Sequence, residues 1–155
     1  MTMSTKSSMF ELDFNRIFSQ IIKYALFGGF AIFILSISFL YLSFQVFPNF
    51  FETYLDPMYN AGGSRDIFFY IHPLILAGGL SILWFRFRKY LTGNIIIQGL
   101  EFGLIYGIVA LGPIIWVSYS ALAVSELTVF SWWIYGTVQA CIAGVVFSWL
   151  ESKRK

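Results

Sequence analysis

Four long apolar stretches constrain this chain more than any other feature of its sequence. They cover residues 24–47, 67–85, 95–119 and 127–150. A bilayer core about 30 Å thick is crossed by about 20 residues of helix, so each stretch is long enough to span it. Their hydrophobicity is continuous and does not alternate with a period of two, which excludes the strands of a membrane barrel. The sequence therefore predicts an all-α integral membrane protein, a bundle of four transmembrane helices in one domain, residues 1–155.

The composition agrees with a membrane protein and excludes several other classes. Only 12% of the residues are charged and 58% are hydrophobic, whereas a soluble domain carries about 25% charge. A net charge of +2 provides no strongly basic surface for nucleic acid. The single cysteine, Cys141, cannot build a disulfide framework. We therefore expect neither a nucleic-acid partner nor a secreted disulfide-rich fold.

The positive charges predict how the four spans are oriented. Lysine and arginine residues precede the first span, lie between the second and third, and end the chain, so nine of the ten fall on one side. Only Arg65 falls on the other side. Because basic residues are enriched in cytoplasmic loops, both termini are predicted to be cytoplasmic. The small size and the short loops favour a bacterial inner membrane.

The segments on either side of the first span have patterns of their own. Residues 9–23 place apolar side chains such as Phe10 and Phe14 on one helical face, which predicts an interfacial amphipathic helix on the cytoplasmic membrane surface. The alternative is a simple extension of the first span. Residues 48–66 form an aromatic outer loop that is predicted to lie at the outer membrane interface. A lid over an outward-facing cavity is the alternative for this loop.

Small residues recur at four-residue intervals in the third and fourth spans. Such stripes allow helix backbones to approach closely in lipid, where packing drives association. We therefore predict a tight antiparallel hairpin of these two spans, with homo-oligomer contact as the alternative. Pro113 is predicted to kink the third span. The helix-packing residues are Gly99, Gly103 and Gly107 in the third span, and Gly136, Ala140, Gly144 and Ser148 in the fourth.

Glu101 is the sharpest candidate for chemistry, because a carboxyl group inside a membrane span is costly. It lies about 9 Å to the cytoplasmic side of the centre of its span, by helical rise. Three interpretations compete. Glu101 couples a proton or cation, or accepts a hydrogen bond from another span, or binds Arg86, Arg88 or Lys89 at the cytoplasmic interface. The two structural interpretations together are favoured over the coupling role.

Three further polar side chains are candidates for binding or coupling. Gln98 shares a helical face with Glu101 and extends a polar stripe from the cytoplasmic side. Gln139, near the middle of the fourth span, is expected to bond across helices, or to line a small polar cavity with Tyr135 and Tyr106. His72, near the outer end of the second span, is expected to be a hydrogen-bonded histidine, with a pH-sensitive or ligand-contacting role as the alternative.

The chain contains no motif that points to catalysis, a metal or a cofactor. It has no H-E-x-x-H, no C-x-x-C and no phosphate loop, and zinc needs more ligands than a lone histidine. The tryptophans lie near span ends, which is typical of an aromatic belt at the membrane interfaces. They are Trp84, Trp116, Trp132, Trp133 and Trp149.

The expected function is therefore that of a non-catalytic subunit or accessory factor of a membrane assembly. Its expected partners are membrane lipids and other membrane subunits, or further copies of the chain. The alternative is a small transporter or binding protein that uses Glu101. An enzyme acting on a lipid or quinone is the weakest hypothesis.

Overall fold

The computed structural model describes residues 3–46, 63 and 66–154, with side chains from residue 15 onward except that of residue 66. Within these residues the chain is helical and contains no strand. The predicted outer loop lies almost wholly outside the described residues. The helices are α1 (Met3–Val46), α2 (Asp66–Phe87), α3 (Ile95–Tyr106), a π-helical segment (Gly107–Leu111), α4 (Gly112–Ala121) and α5 (Glu126–Ser152).

Four helical stretches are long and apolar enough to cross a membrane, which confirms the predicted number of spans. They are Asn15–Val46, Ile67–Phe87, Ile95–Ala121 and Glu126–Ser152. The third stretch consists of α3, the π-helical segment and α4 in one continuous rod. Each stretch begins and ends within three residues of the predicted span, except that the first starts nine residues earlier.

Helix α1 is uninterrupted over 44 residues, so no helix end separates residues 9–23 from the first span. At 1.5 Å per residue it is about 66 Å long, roughly twice the thickness of a bilayer core. A helix of this length is longer than a bilayer core is thick, so one that crosses the core at a moderate tilt extends beyond it. The side chains of Phe10 and Phe14 lie outside the described residues.

Two polar caps set where the spans of the second hairpin begin. Asn94 precedes α3, and its Oδ1 accepts a hydrogen bond from the backbone N–H of Ile97 at 2.9 Å. Gly93 just before it has a φ of +96°, a backbone conformation that side chains other than glycine rarely tolerate. Ser125 caps α5, because its Oγ accepts from the N–H of Thr128 at 3.1 Å. Both caps satisfy backbone donors that the first helical turn leaves free.

Helix α5 is the centre of the packing. It lies against α3 along much of its length and also contacts α1 and α2, while α1 and α2 pack on each other. The aromatic core between these helices includes Tyr24, Trp84 and Phe147, which are all fully buried. The rings of Trp84 and Phe102 are nearly perpendicular, and their centroids are 5.3 Å apart. The interpretation of Trp84 as part of an interfacial belt is therefore wrong, because its ring fills the core.

The middle of the third span departs from an α-helix. Pro113 has no N–H for the carbonyl of Val109, and its ring crowds that carbonyl. The helix adjusts with a π-helical turn in which the N–H of Gly112 donates to the carbonyl oxygen of Gly107. The indole Nε1 of Trp133 donates to the same oxygen at 2.8 Å. Such turns widen a helix locally and change the direction of the faces that follow.

Candidate functional site

The polar side chains of the spans divide into a group at one end of the bundle and a group further inside. We call the first end the basic end, because α1 starts there, α2 and α5 end there, and it carries every lysine and arginine whose side chain the structure describes. These residues are Arg16, Lys23, Arg86, Arg88, Lys89, Lys153 and Arg154.

A cluster around Glu151 closes the basic end. Its Oε2 accepts hydrogen bonds from the guanidinium of Arg88 and, at 2.9 Å, from the hydroxyl of Tyr24. The guanidinium also lies over the ring of Phe85, 4.9 Å from its centroid. The cluster joins α1, α5 and the residue that follows α2, because Arg88 comes directly after the end of that helix. A carboxylate shared by two donors is a structural clamp between three spans.

Glu101 does not take part in this clamp. Its Oε2 accepts a hydrogen bond from the backbone N–H of Thr92 at 3.4 Å, and its side chain is partly exposed. Among the side chains that the structure describes, Arg88 forms its ion pair with Glu151 and not with Glu101. Glu101 therefore tethers the loop between α2 and α3 to the first turns of α3.

Gln98 connects the same loop to α5. Its Nε2 donates to the carbonyl oxygen of Gly93 at 3.0 Å, and its Oε1 accepts from the hydroxyl of Ser148 at 2.8 Å. Ser148 was predicted only as a small packing residue, yet its hydroxyl supplies this bond. Gln98 and Glu101 thus lie together at the start of α3, as their spacing predicts, and both bond to the neighbouring loop.

Gln139 lies further inside the bundle and is almost completely buried. Its side chain is 2% exposed, and its Nε2 donates to the hydroxyl oxygen of Ser36 at 3.1 Å. That hydroxyl donates in turn to the carbonyl oxygen of Ile32 at 2.7 Å. The amide therefore links α5 to α1, which is the cross-helix role expected of a polar residue in a span.

A small cavity lies beside this bond. Its volume is about 30 Å³, and its lining includes Ser36, His72, Tyr135 and Gln139. A volume of this size holds a water molecule, because about 10–15 Å³ is sufficient. Its lining also includes Phe69, the residue whose carbonyl lacks a helical partner because Pro73 has no N–H. The surface that lines the cavity is almost wholly apolar, and the volume is too small for an organic substrate.

The glycines of α3 lie against the backbone of α5. A Cβ added at Gly99 would overlap the backbone of Val145, and one added at Gly103 would overlap the backbone of Cys141. From the other side, a Cβ at Gly144 would lie 2.6 Å from the carbonyl oxygen of Gly99. Over this stretch the two helices therefore approach at the distance that only glycine permits.

The remaining small residues of the two stripes make looser or different contacts. A Cβ at Gly107 would meet the side chain of Thr137, and one at Gly136 would lie 2.8 Å from the end of the Leu111 side chain. Ala140 is fully buried. The contribution of the stripes to stability in lipid stays a prediction.

The structure brings His72 and Gln139 to one cavity and leaves Glu101 at the start of α3, near the basic end. Sequence reasoning missed Glu151, which lies one residue beyond the predicted end of the fourth span. A signal was present, because Glu151 and the basic residues 86–89 are predicted to lie on the same side of the membrane.

The chemistry that the described side chains of these sites show is hydrogen bonding by amides, hydroxyls and carboxylates, together with the ion pair between Arg88 and Glu151. Groups of three or more histidine, cysteine, aspartate or glutamate side chains placed to hold a metal are absent from the described residues. Comparisons with protein families, with curated proteins and with solved structures each find no match.

Proposed function

We propose that this chain is a non-catalytic subunit or accessory factor of a larger membrane assembly. One observation carries the proposal: three of the four candidate polar side chains of the spans, all except the exposed His72, form hydrogen bonds within the chain. Gln98 bonds to Ser148, Gln139 bonds to Ser36, and Glu101 bonds to a backbone N–H. Side chains used in this way hold helices and loops together, and they are not free to line a path for a solute.

If the polar side chains hold the bundle together, the outer surface is the part of the molecule through which it would contact a partner. Large apolar side chains are exposed on all five helices, for example Phe30 on α1, Ile75 on α2 and Trp116 on α4. Lipid contact requires such a surface, and so does the packing of a partner's transmembrane helix. The third span supports packing against a partner's helix, because this span packs chiefly on α5 and its remaining faces contact no other helix extensively.

The proposal includes an orientation in the membrane. Both termini lie in the cytoplasm of a bacterial cell, residues 9–23 continue α1 beyond the hydrocarbon on the cytoplasmic side of its inner membrane, and the basic end faces that side. The clustering of the described lysines and arginines at one end supports this orientation. The length of α1 supports a segment outside the hydrocarbon.

A second candidate function is a small transporter or binding protein that uses Glu101. The contact between Glu101 and Thr92 supports this candidate, since 3.4 Å is long for a hydrogen bond and the side chain of Glu101 is partly exposed. A carboxylate held so weakly keeps the capacity to bind a proton or a cation. This candidate and the subunit proposal differ in what the purified chain does alone.

Measuring proton flux into proteoliposomes distinguishes the subunit proposal from the transporter candidate. The purified chain and its Glu101→Gln variant are reconstituted with a pH-sensitive dye inside, and a pH gradient is imposed. We expect both to leak protons at the rate of protein-free liposomes, because Glu101 has a structural role. A flux in the unmodified chain that Glu101→Gln abolishes, while thermal unfolding in detergent stays the same, would overturn the subunit proposal.

A further inference from the structure

A groove of about 550 Å³ separates α4 from the first turns of α5, at the end of the bundle opposite the basic end. Its walls are apolar and include Ile115 and Trp116 on α4, and Leu127 and Phe130 on α5. Ile115 is half-buried, whereas Leu127 and Phe130 are more than half exposed and Trp116 is 79% exposed. The groove is therefore an apolar trough on the surface that faces the membrane.

The π-helical segment explains why the groove is there. Before this segment, α3 lies backbone to backbone on α5 through Gly99 and Gly103. After it, α4 contains no buried residue, although α5 runs alongside. The π-helical turn changes the direction of the faces that follow it, so α4 does not continue the close packing of α3. The groove is thus built by the fold.

Among the described side chains, one carboxylate lies at the end of the groove. Glu126 is the first residue of α5, and its Oε1 accepts a hydrogen bond from the hydroxyl of Tyr119 at 3.0 Å. The ion pair found among the described residues lies at the basic end, so Glu126 has no cationic partner there. A carboxylate at neutral pH carries a negative charge. The groove therefore combines an apolar trough with a carboxylate that has no cationic partner among the described residues.

We propose that this groove binds a bilayer phospholipid with a primary amine in its headgroup. One acyl chain lies along the apolar walls, and the ammonium group donates to the carboxylate of Glu126. The ammonium supplies the charge that the groove lacks, and it carries three N–H donors for a charge-assisted hydrogen bond. An anionic lipid would place like charges together at this point.

A second copy of the chain fits the groove less well. In the same membrane orientation, a second copy brings its basic end to the opposite side of the bilayer. Every lysine and arginine side chain that the structure describes lies at that end, so none of these reaches Glu126, and Arg65, which is predicted on the side of Glu126, lies outside the described residues. The amine-bearing lipid satisfies both the apolar and the charged part of the groove. The lipid site is independent of the subunit proposal, because it concerns the isolated chain.

Native mass spectrometry of the purified full-length chain tests the lipid site. The protein is mixed with equal amounts of phosphatidylethanolamine and phosphatidylglycerol of the same acyl composition, and the retained lipids are counted. We expect the first bound lipid to be phosphatidylethanolamine, with a preference of about tenfold that Glu126→Gln removes. Asp13→Asn, which removes one negative charge from the beginning of α1, is the matched control and should keep the preference.

Three outcomes would overturn the proposal. Equal retention of the two lipids by the unmodified chain would mean non-specific lipid contact. A preference that survives in Glu126→Gln would place the amine elsewhere on the molecule. A dimer that releases its lipid would show that a second copy covers the groove. Thermal unfolding of Glu126→Gln in lipid-free detergent, expected to match that of the unmodified chain, separates lost binding from lost structure.

Discussion

Replacing Gly103 with alanine is expected to lower the free energy of unfolding by about 2 kcal/mol, the middle of the range for overpacked sites. The added Cβ would overlap the backbone of Cys141 on α5. A backbone cannot rotate out of the way as a side chain does, so α3 and α5 must move apart. In lipid this loss is not offset by apolar burial, because helix association depends on close packing. Unfolding of the purified protein by SDS in mixed micelles measures the change.

Gly79→Ala is the matched control for this substitution. Gly79 also lies inside a helix that is long and apolar enough to cross a membrane, but nothing lies within 4 Å of the Cβ that alanine would add there. We expect its unfolding free energy to change by less than about 0.5 kcal/mol. Equal effects of the two substitutions would show that the close approach of α3 and α5 does not determine stability. A change in oligomeric state without a change in unfolding would favour contact between copies instead.

Phe147→Ala is expected to cost about 3 kcal/mol, the lower end of the range for large-to-small aromatic substitutions. We expect the lower end because lipid or detergent solvates the Phe147 ring when the helices separate. The substitution therefore removes packing contacts but little of the free energy of transfer from water. Phe147 is fully buried, and its ring lies 5.5 Å from that of Tyr24 and 5.9 Å from that of Trp84. Its removal leaves a cavity where α1, α2 and α5 meet.

The same measurement on Phe30→Ala provides the comparison. Phe30 lies on α1 and is 66% exposed, so its loss should change the unfolding free energy by less than about 0.5 kcal/mol. If Phe147→Ala were equally mild, the aromatic core would not hold the three helices together. If Phe30→Ala were as costly as Phe147→Ala, the exposed face of α1 would be packed against something in the purified particle.

The sequence alone was sufficient to predict the spans, because their signal is local. A continuous apolar run identifies a membrane-spanning helix without reference to the neighbouring helices. Residues such as Pro48, just after the first span, and Gly93, just before the third, lie at the boundaries of these runs. The start of the third span is placed at the residue where the structure has it, Ile95, directly after the cap Asn94. Glycine at four-residue spacing likewise indicated which faces of the third and fourth spans are smooth enough for close contact.

Contacts between residues on different helices could not be predicted from local sequence patterns. Tyr24 and Glu151 are 127 residues apart in sequence, and no periodicity shows that their helices are neighbours. The same holds for Gln139 and His72, which meet at one cavity. Trp84 near a span end fits an interfacial belt by position alone, and only its neighbours show that it is buried. Pro113 predicts a disturbed helix but not a π-helical turn.

The particle extracted from the native membrane in mild detergent is the most direct measure of what this chain does. Its mass and subunit composition, determined by native mass spectrometry, are predicted to show the chain together with different membrane subunits in a fixed ratio. The polar side chains of its spans would then serve the bundle, and the partner would be the source of the activity. A particle that contains only this chain, as a monomer or a homo-oligomer, would contradict the proposed role as a subunit.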